Sequence, residues 1–160
     1  MYNNLVHNAL QFAIFAHGNQ MYGNFPYIVH LSDVHKILRE YHYDDEEILA
    51  ASFLHDTIED CGVSREMIEA RFGEKVAKYV WAVSGFGANR KERKADMLAK
   101  LQDFPKAVSL KMADRYANIL NCQTFNPRLL EMYKKEYSDY DTLFETADSF
   151  LNSKIRKILI

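Results

Sequence analysis

Apolar positions along the chain recur at spacings of three and four, not two. Leu5, Ala9, Phe12, Ala13 and Ala16 fall on one stripe and predict an amphipathic helix over residues 2–17. A loop follows at HGNQMYGNFP, and a second helix is predicted from about Tyr27 to Tyr41. Asp44, with Glu47 three residues on, has a capping-box pattern. It opens a third helix, which runs on through Ala50, Ala51, Phe53, Leu54 and Ile58. Ser64 can cap a short helix ending near Gly73, and EKVAKYVWAVS reads as another, ending before Gly85-Phe86-Gly87. The charged segment NRKERKADMLAKLQ predicts an exposed helix, and Pro105 starts an apolar one through KAVSLKMADRYANIL. Asn126-Pro127 supplies the N-cap and first turn of a last long helix rich in Tyr, Glu, Lys and Asp. With three prolines, six glycines and no sustained two-residue alternation, little room remains for a sheet. The expected fold is all-α, one domain over residues 1–160 with about seven to nine helices.

Composition narrows the class without naming a function. A chain of 160 residues can bury a core without disulfides, and 48% apolar with 26% charged residues argues against wholesale disorder. A net charge of −2 argues against a general nucleic-acid or membrane-surface binder. No apolar run approaches the roughly 18 residues of a membrane span, and MYNNLVHNAL has no signal-peptide pattern, so a cytoplasmic location is expected. Cys61 and Cys122 form no C-x-x-C pair and read as structural thiols.

The chemistry concentrates in FLHDTIED, residues 53–60, which sets His55, Asp56, Glu59 and Asp60 among apolar neighbours. On one continuous helix, at about 100° per residue, the four lie near 0°, 100°, 40° and 140° and share one sector. A solvated helix face and a metal site both account for that pattern. Two further residues look out of place in apolar helices: His30 in PYIVHLSDV and Asp114 in VSLKMADRYANI. Buried acids are costly without a cation or hydrogen bonds. His30, His55, Asp56 and Asp114 together offer two imidazole nitrogens and two carboxylate oxygens, a set suited to one Mn²⁺, Fe²⁺ or Zn²⁺ ion.

The order H…HD…D, carried by PYIVH, FLHDTIED and LKMADRYANI from about Ala9 to Asn121, resembles the HD-domain metal phosphohydrolases. The acidic pair after HD and the segment ADRYAN resemble more narrowly the hydrolase domain of RelA/SpoT-type proteins and the small alarmone hydrolases. The resemblance implies an HD-type helical bundle. It also implies a hydrolase that removes the 3′-pyrophosphate of guanosine tetra- or pentaphosphate, (p)ppGpp, usually with Mn²⁺. It makes His30, His55, Asp56 and Asp114 the metal ligands, gives Glu59 and Asp60 the attacking water, and sets Asn118 in the nucleotide pocket. Arg90, Lys91, Arg93 and Lys94 resemble the family's ERK region, which can meet phosphates; a solvated helix face accounts for them as well.

One departure bears on specificity. Where relatives carry a basic pair after the glutamine matching Gln20, this chain has Met21, Tyr22 and Gly23, leaving Tyr22 as the residue able to stack on a base. His17 fits a structural role or a pocket role, Tyr116 is a further candidate for ligand contact, and Lys111 and Arg115 flank Asp114 without an assigned role. Three functions stay open: the alarmone pyrophosphohydrolase, a phosphatase for another nucleotide, cofactor or pyrophosphorylated RNA end, and a non-catalytic, antitoxin-like nucleotide-binding module. The expected partner is a small nucleotide, with no membrane and no general nucleic-acid binding.

Overall fold

The computed structural model describes residues 4–160. The expected start of the first helix at residue 2 lies outside them. Helix α1 (Leu5–His17) begins where the Asn4 side chain accepts from the His7 amide. A two-residue hairpin follows, β1 (Met21–Tyr22) paired antiparallel with β2 (Phe25–Pro26). Its turn is carried by Gly23 at φ +58°, a backbone that glycine adopts without strain. Then come α2 (Ile28–Glu40), α3 (Glu46–Leu54), α4 (Thr57–Cys61), α5 (Arg65–Phe72), α6 (Glu74–Val83) and α7 (Arg90–Asp103). A 3-10 turn at Pro105–Ala107 leads into α8 (Val108–Phe125), followed by α9 (Pro127–Glu136), a second 3-10 turn at Tyr137–Asp139, α10 (Asp141–Ala147) and α11 (Ser149–Leu159). The fold is all-α apart from the hairpin.

The core forms around α3. All seven residues from Ile48 to Leu54 are buried, so beyond its first turn this short helix has no solvent face and is packed by α1, α2 and α6. Helix α2 lays His30, Leu31, Val34, Ile37 and Leu38 inward, a stripe at three-and-four spacing, and packs on both α3 and α8. His30 therefore occupies a core position. Leu31, Leu38, Leu54 and Leu110 are fully buried, and truncating any of them to alanine is expected to cost about 2–5 kcal/mol.

The helix pattern differs from the sequence reading at three places. The third helix is capped by Asp45, whose side chain accepts from the Glu47 amide at 2.9 Å, while Asp44 pairs with Arg39. That helix is not continuous through FLHDTIED: it stops at Leu54, and Asp56 takes φ −100°, ψ −2° before α4 begins. Side chains compensate at the break. The Thr57 hydroxyl donates to Leu54 O at 2.7 Å, and His55 Nδ1 bonds Ser52 O at 2.7 Å. Beyond Asn126, which caps α9, the expected long helix divides into α9, a 3-10 turn, α10 and α11, the last capped by Asp148, which accepts from the Leu151 amide.

Candidate metal centre and active-site cleft

His30, His55 and Asp56 bring one donor atom each to within 4.8 Å of one another where α2 meets the α3–α4 corner, a group that could hold a metal ion, and Asp114 of α8 adjoins both histidines. His30 Nε2 and His55 Nε2 lie 3.3 Å apart. Asp114 Oδ1 is 3.2 Å from the first and 3.6 Å from the second. Asp56 Oδ2 is 3.6 Å from His30 and 3.0 Å from His55. Ligands about 2.1 Å from a common ion sit roughly 3.0–3.4 Å apart at neighbouring vertices, so the spacing of His30, His55 and Asp56 fits one shared cation. The helix break is what makes the pairing possible, since it turns two consecutive side chains, His55 and Asp56, toward one point.

Each donor is held by a second contact. With Nδ1 committed to the Ser52 carbonyl, His55 directs its Nε2 lone pair at the centre. The Tyr27 hydroxyl donates to Asp56 Oδ2 at 2.6 Å. Lys111 Nζ binds Asp114 Oδ2 at 2.8 Å, leaving Oδ1 for the centre, where Asn118 Nδ2 also donates at 2.8 Å. His30 Nδ1 is buried without a hydrogen-bond partner among the described residues, so its ring is oriented by packing: Tyr22 stacks on it at 4.8 Å.

Charge at the centre is tightly coupled. Burial alone would lower the pKa of both histidines, but Asp56 and Asp114 outweigh it and raise both, His55 well above its ordinary value. Burial alone would raise Asp114, but Lys111 and the histidines hold it well below the carboxylate range. Two protonated histidines balance two carboxylates, and one divalent cation with neutral histidines balances them equally. Metal binding here is therefore proton exchange.

The centre opens into a cleft of about 240 Å³. Asp56, Glu59, Asp60, Asp114 and Glu136 supply its acids, and Arg90, Arg93, Lys94, Lys111 and Arg115 its bases. A divalent cation would tip this even balance positive and favour an anionic ligand. Glu59 Oε1 accepts from the Gly85 amide at 2.5 Å. Desolvation pushes the Glu59 carboxyl up, offset only in part by that amide and by Lys111. Gly85 is needed there, because a Cβ at this position would stand 2.3 Å from the Arg93 carbonyl oxygen. Asp60 lies at the exposed rim and accepts from Gln20 Nε2 at 2.9 Å; Gln20 Oε1 is 2.8 Å from His17 Nδ1. His17 in turn stacks on Tyr27 at 4.5 Å.

The expected substrate-binding residues divide. Asn118, Arg90, Arg93 and Lys94 line the cleft, whereas Lys91 is exposed on α7 outside that lining. Tyr22 is turned inward, its hydroxyl donating to Asn118 Oδ1 at 2.8 Å and its ring on His30. Arg90 makes two hydrogen bonds to Glu136, at 2.7 and 3.0 Å, and Lys94 is bonded to Asp139. Tyr116, the other aromatic candidate, is not among the lining residues. Sequence reasoning missed Tyr27, Gly85, Glu136, Tyr133 and Tyr140. Tyr27 had a visible signal, standing three residues before His30 on the same helical face; Glu136 had none, because its partners are on α7 and α8.

Known proteins resemble the chain in sequence and in fold. The family described as HD domain matches residues 9–139. A guanosine-3′,5′-bis(diphosphate) 3′-pyrophosphohydrolase of Aquifex aeolicus is 36% identical over 137 residues, covering 82% of this chain and 20% of that protein. A protein of the same name from Vibrio cholerae is 39% identical over 111 residues, covering 64% of this chain and 16% of its own length. The chain thus spans about a fifth or less of these curated relatives. A solved structure covers 100% of this chain and 99% of its own, with a TM-score of 0.85 and 25% identity. It is described as a metazoan ortholog of SpoT that hydrolyses ppGpp and plays a role in starvation responses. Among the described residues, no helix is long and apolar enough to cross a membrane.

Proposed function

The chain belongs to the HD domain family, and from that premise we propose that it is a divalent-metal-dependent pyrophosphohydrolase. Its substrate is an alarmone-like nucleotide, guanosine 3′,5′-bis(diphosphate) or a close relative, from which it removes the 3′-pyrophosphate in the cytoplasm. The observation that carries this reading is the grouping of His30, His55 and Asp56, with Asp114 beside both histidines, in a cleft that also holds five basic side chains. The names of the relatives supply the substrate class.

His30, His55, Asp56 and Asp114 hold the ion; the mixed nitrogen and oxygen donor set suits Mn²⁺, Fe²⁺ or Zn²⁺, and the resemblance to alarmone hydrolases makes Mn²⁺ the first choice. When bound, such an ion polarises the phosphoryl group and makes water acidic enough to attack near neutral pH. Glu59 faces the same cleft and takes the proton that the water loses, a task favoured by its raised pKa. Asp60, anchored through Gln20, orients the water from the rim. A P–O bond forms to the water oxygen, the bond to the 3′-oxygen breaks, and that oxygen regains a proton. The products are the nucleoside 5′-diphosphate and pyrophosphate. Lys111 keeps Asp114 ionised and adds positive charge beside the developing one.

The placement of Glu59 favours turnover over a non-catalytic binding module, which has no need of a second carboxylate facing the cleft. The deciding experiment is phosphate and pyrophosphate release from a panel of phosphorylated nucleotides, with and without Mn²⁺. Pyrophosphate from guanosine 3′-pyrophosphates, dependent on metal, supports the reading. Release of orthophosphate alone, or from 2′-phosphorylated dinucleotides in preference, overturns it.

A further inference from the structure

Arg115 is a charged group of the cleft that the metal chemistry leaves unused. It follows Asp114 on α8, is 4% exposed, and lies between the rings of Tyr140 at 3.9 Å and Tyr133 at 4.8 Å. Its Nη1 reaches Glu136 Oε2 at 3.4 Å, a long contact, and its Nη2 is buried with no hydrogen-bond partner among the described residues. A buried charged donor without an acceptor is costly, so an unpaired one lining a cleft points to an acceptor that arrives from outside.

Arg90 crosses from α7 to the same carboxylate and binds it through two nitrogens, at 2.7 and 3.0 Å. One carboxylate thus serves two guanidiniums and leaves a donor over. The planar fork of arginine fits phosphate as well as carboxylate, and a phosphoryl group brings three terminal oxygens where a carboxylate brings two. Glu136 stands where such a group would sit. Its carboxyl is only partly exposed, and it reaches the pair from the C-terminal end of α9, a helix that packs on α8.

On the reading of the preceding subsection, we infer that Arg115 and Arg90 form the subsite for the distal phosphoryl group of the substrate's pyrophosphate, and that Glu136 is a resident carboxylate which this group displaces. Asp114, Arg115 and Arg90 line the same cleft of about 240 Å³, so a phosphoryl group at the donor centre and its bridged neighbour share one cavity with the two guanidiniums. The subsite then selects for a diphosphate over a monophosphate. Glu136 sets the strength of that selection by competing for the same donors.

The test is binding of inorganic pyrophosphate and of orthophosphate to the Mn²⁺-loaded protein, by calorimetry at constant free Mn²⁺. The wild type is expected to prefer pyrophosphate. Arg90→Gln and Arg115→Lys should each weaken pyrophosphate by roughly tenfold or more, the scale of a lost charged hydrogen bond, and leave orthophosphate within about twofold. Glu136→Gln, which frees the guanidiniums, should tighten pyrophosphate several-fold. Metal content of each variant shows that the centre is intact, and Arg90, being exposed, can be changed without disturbing the core. Equal losses for both anions in the arginine variants, or unchanged or weaker pyrophosphate binding in Glu136→Gln, overturn the inference. No turnover enters this measurement, so a chain that binds in this pattern but hydrolyses no alarmone refutes the proposed activity and not the subsite.

Discussion

The donor centre and the cationic wall face each other across one cleft and are built in opposite ways. The centre is made by side chains of α2, the α3–α4 corner and α8, whose other residues fill the core, and most of its donors are held by a second hydrogen bond. His30, His55 and Asp114 are all buried. The wall comes chiefly from α7, where only Met97 and Leu101 are buried, and its cations are held by acids near the end of α9: Arg90 by Glu136, Lys94 by Asp139. Moving a donor means disturbing the core. Moving a wall cation means exchanging one anion for another, which costs little at a solvated surface. Geometry-critical chemistry is thus placed on packed helices, and recognition of an anion on side chains able to change partners.

The sharpest way to break this comparison is to remove the centre. Purified protein is expected to carry about one divalent ion per chain, and His55→Ala with Asp56→Ala should reduce that to near zero and abolish hydrolysis, because the remaining two donors cannot hold the ion. Metal analysis and turnover are read together. Stoichiometric metal in the double variant would mean that the wall's acids bind it, and the division drawn above would be wrong.

The same division explains what could be read before folding. His30, His55, Asp56 and Asp114 were visible because a polar residue within an apolar helical stripe needs a reason, and that is a local signal. The corner at His55-Asp56 was not visible. Helical periodicity runs straight through FLHDTIED, and the break is stabilised by Thr57 and His55 bonding to the carbonyls it frees, which no spacing rule reports. The final helix failed as a single unit for a similar reason, since Asp148 caps a new helix inside a run of ordinary helix formers. On the wall, the charge of Arg90 and Lys94 was legible but their acid partners were not, because Glu136 and Asp139 lie more than forty positions away. Tyr22 was expected toward a base and instead bonds Asn118, a contact across 96 positions.

Next in size is the loss of Glu59. Glu59→Gln should retain the metal and cost roughly 10²-fold or more in turnover, whereas Asp60→Asn, at the exposed rim, should cost less. The pH profile separates the proton acceptor from the ligands. Glu59 must be ionised to accept a proton, so turnover at saturating metal should fall as pH drops and this carboxylate, which burial already disfavours, becomes protonated. That limb should vanish in Glu59→Gln. The ligands act through affinity instead: both histidine pKa values are raised, protons compete with the ion, and metal affinity should rise with pH until both rings are neutral. An acid limb that persists in Glu59→Gln at saturating metal would place the base elsewhere.

A smaller effect tests whether the second contacts matter at the centre and not at the wall. Tyr27→Phe removes the hydroxyl from Asp56 and is expected to weaken metal affinity roughly tenfold, the low end for a group that orients a ligand. Lys94→Met, which frees Asp139 on the opposite side, should leave metal affinity unchanged. Chelator competition measures both. Equal weakening by the two substitutions would show that the cleft responds as one electrostatic unit.

The smallest expected effect concerns the base, the one part of the substrate for which neither region offers a dedicated reader. The first loop carries Met21, Tyr22 and Gly23 where the resemblance to alarmone hydrolases implies basic residues. Of these, Tyr22 is already engaged: its hydroxyl donates to Asn118 and its ring covers His30, so it supports the centre instead of reading a purine edge. Met21 is exposed and offers only apolar contact. Without hydrogen bonds to the base edge, discrimination between guanine and adenine loses on the order of 1–3 kcal/mol. Adenosine 3′-pyrophosphates should then be cleaved within about tenfold of the guanosine substrates in kcat/KM, since tenfold corresponds to about 1.4 kcal/mol. The two nucleotides are compared side by side at saturating Mn²⁺. A thousandfold guanine preference would mean that the base is read by residues outside the first loop, and the wall's glycine-rich neighbour at Gly85-Phe86-Gly87 would be the place to look, because it already touches Glu59.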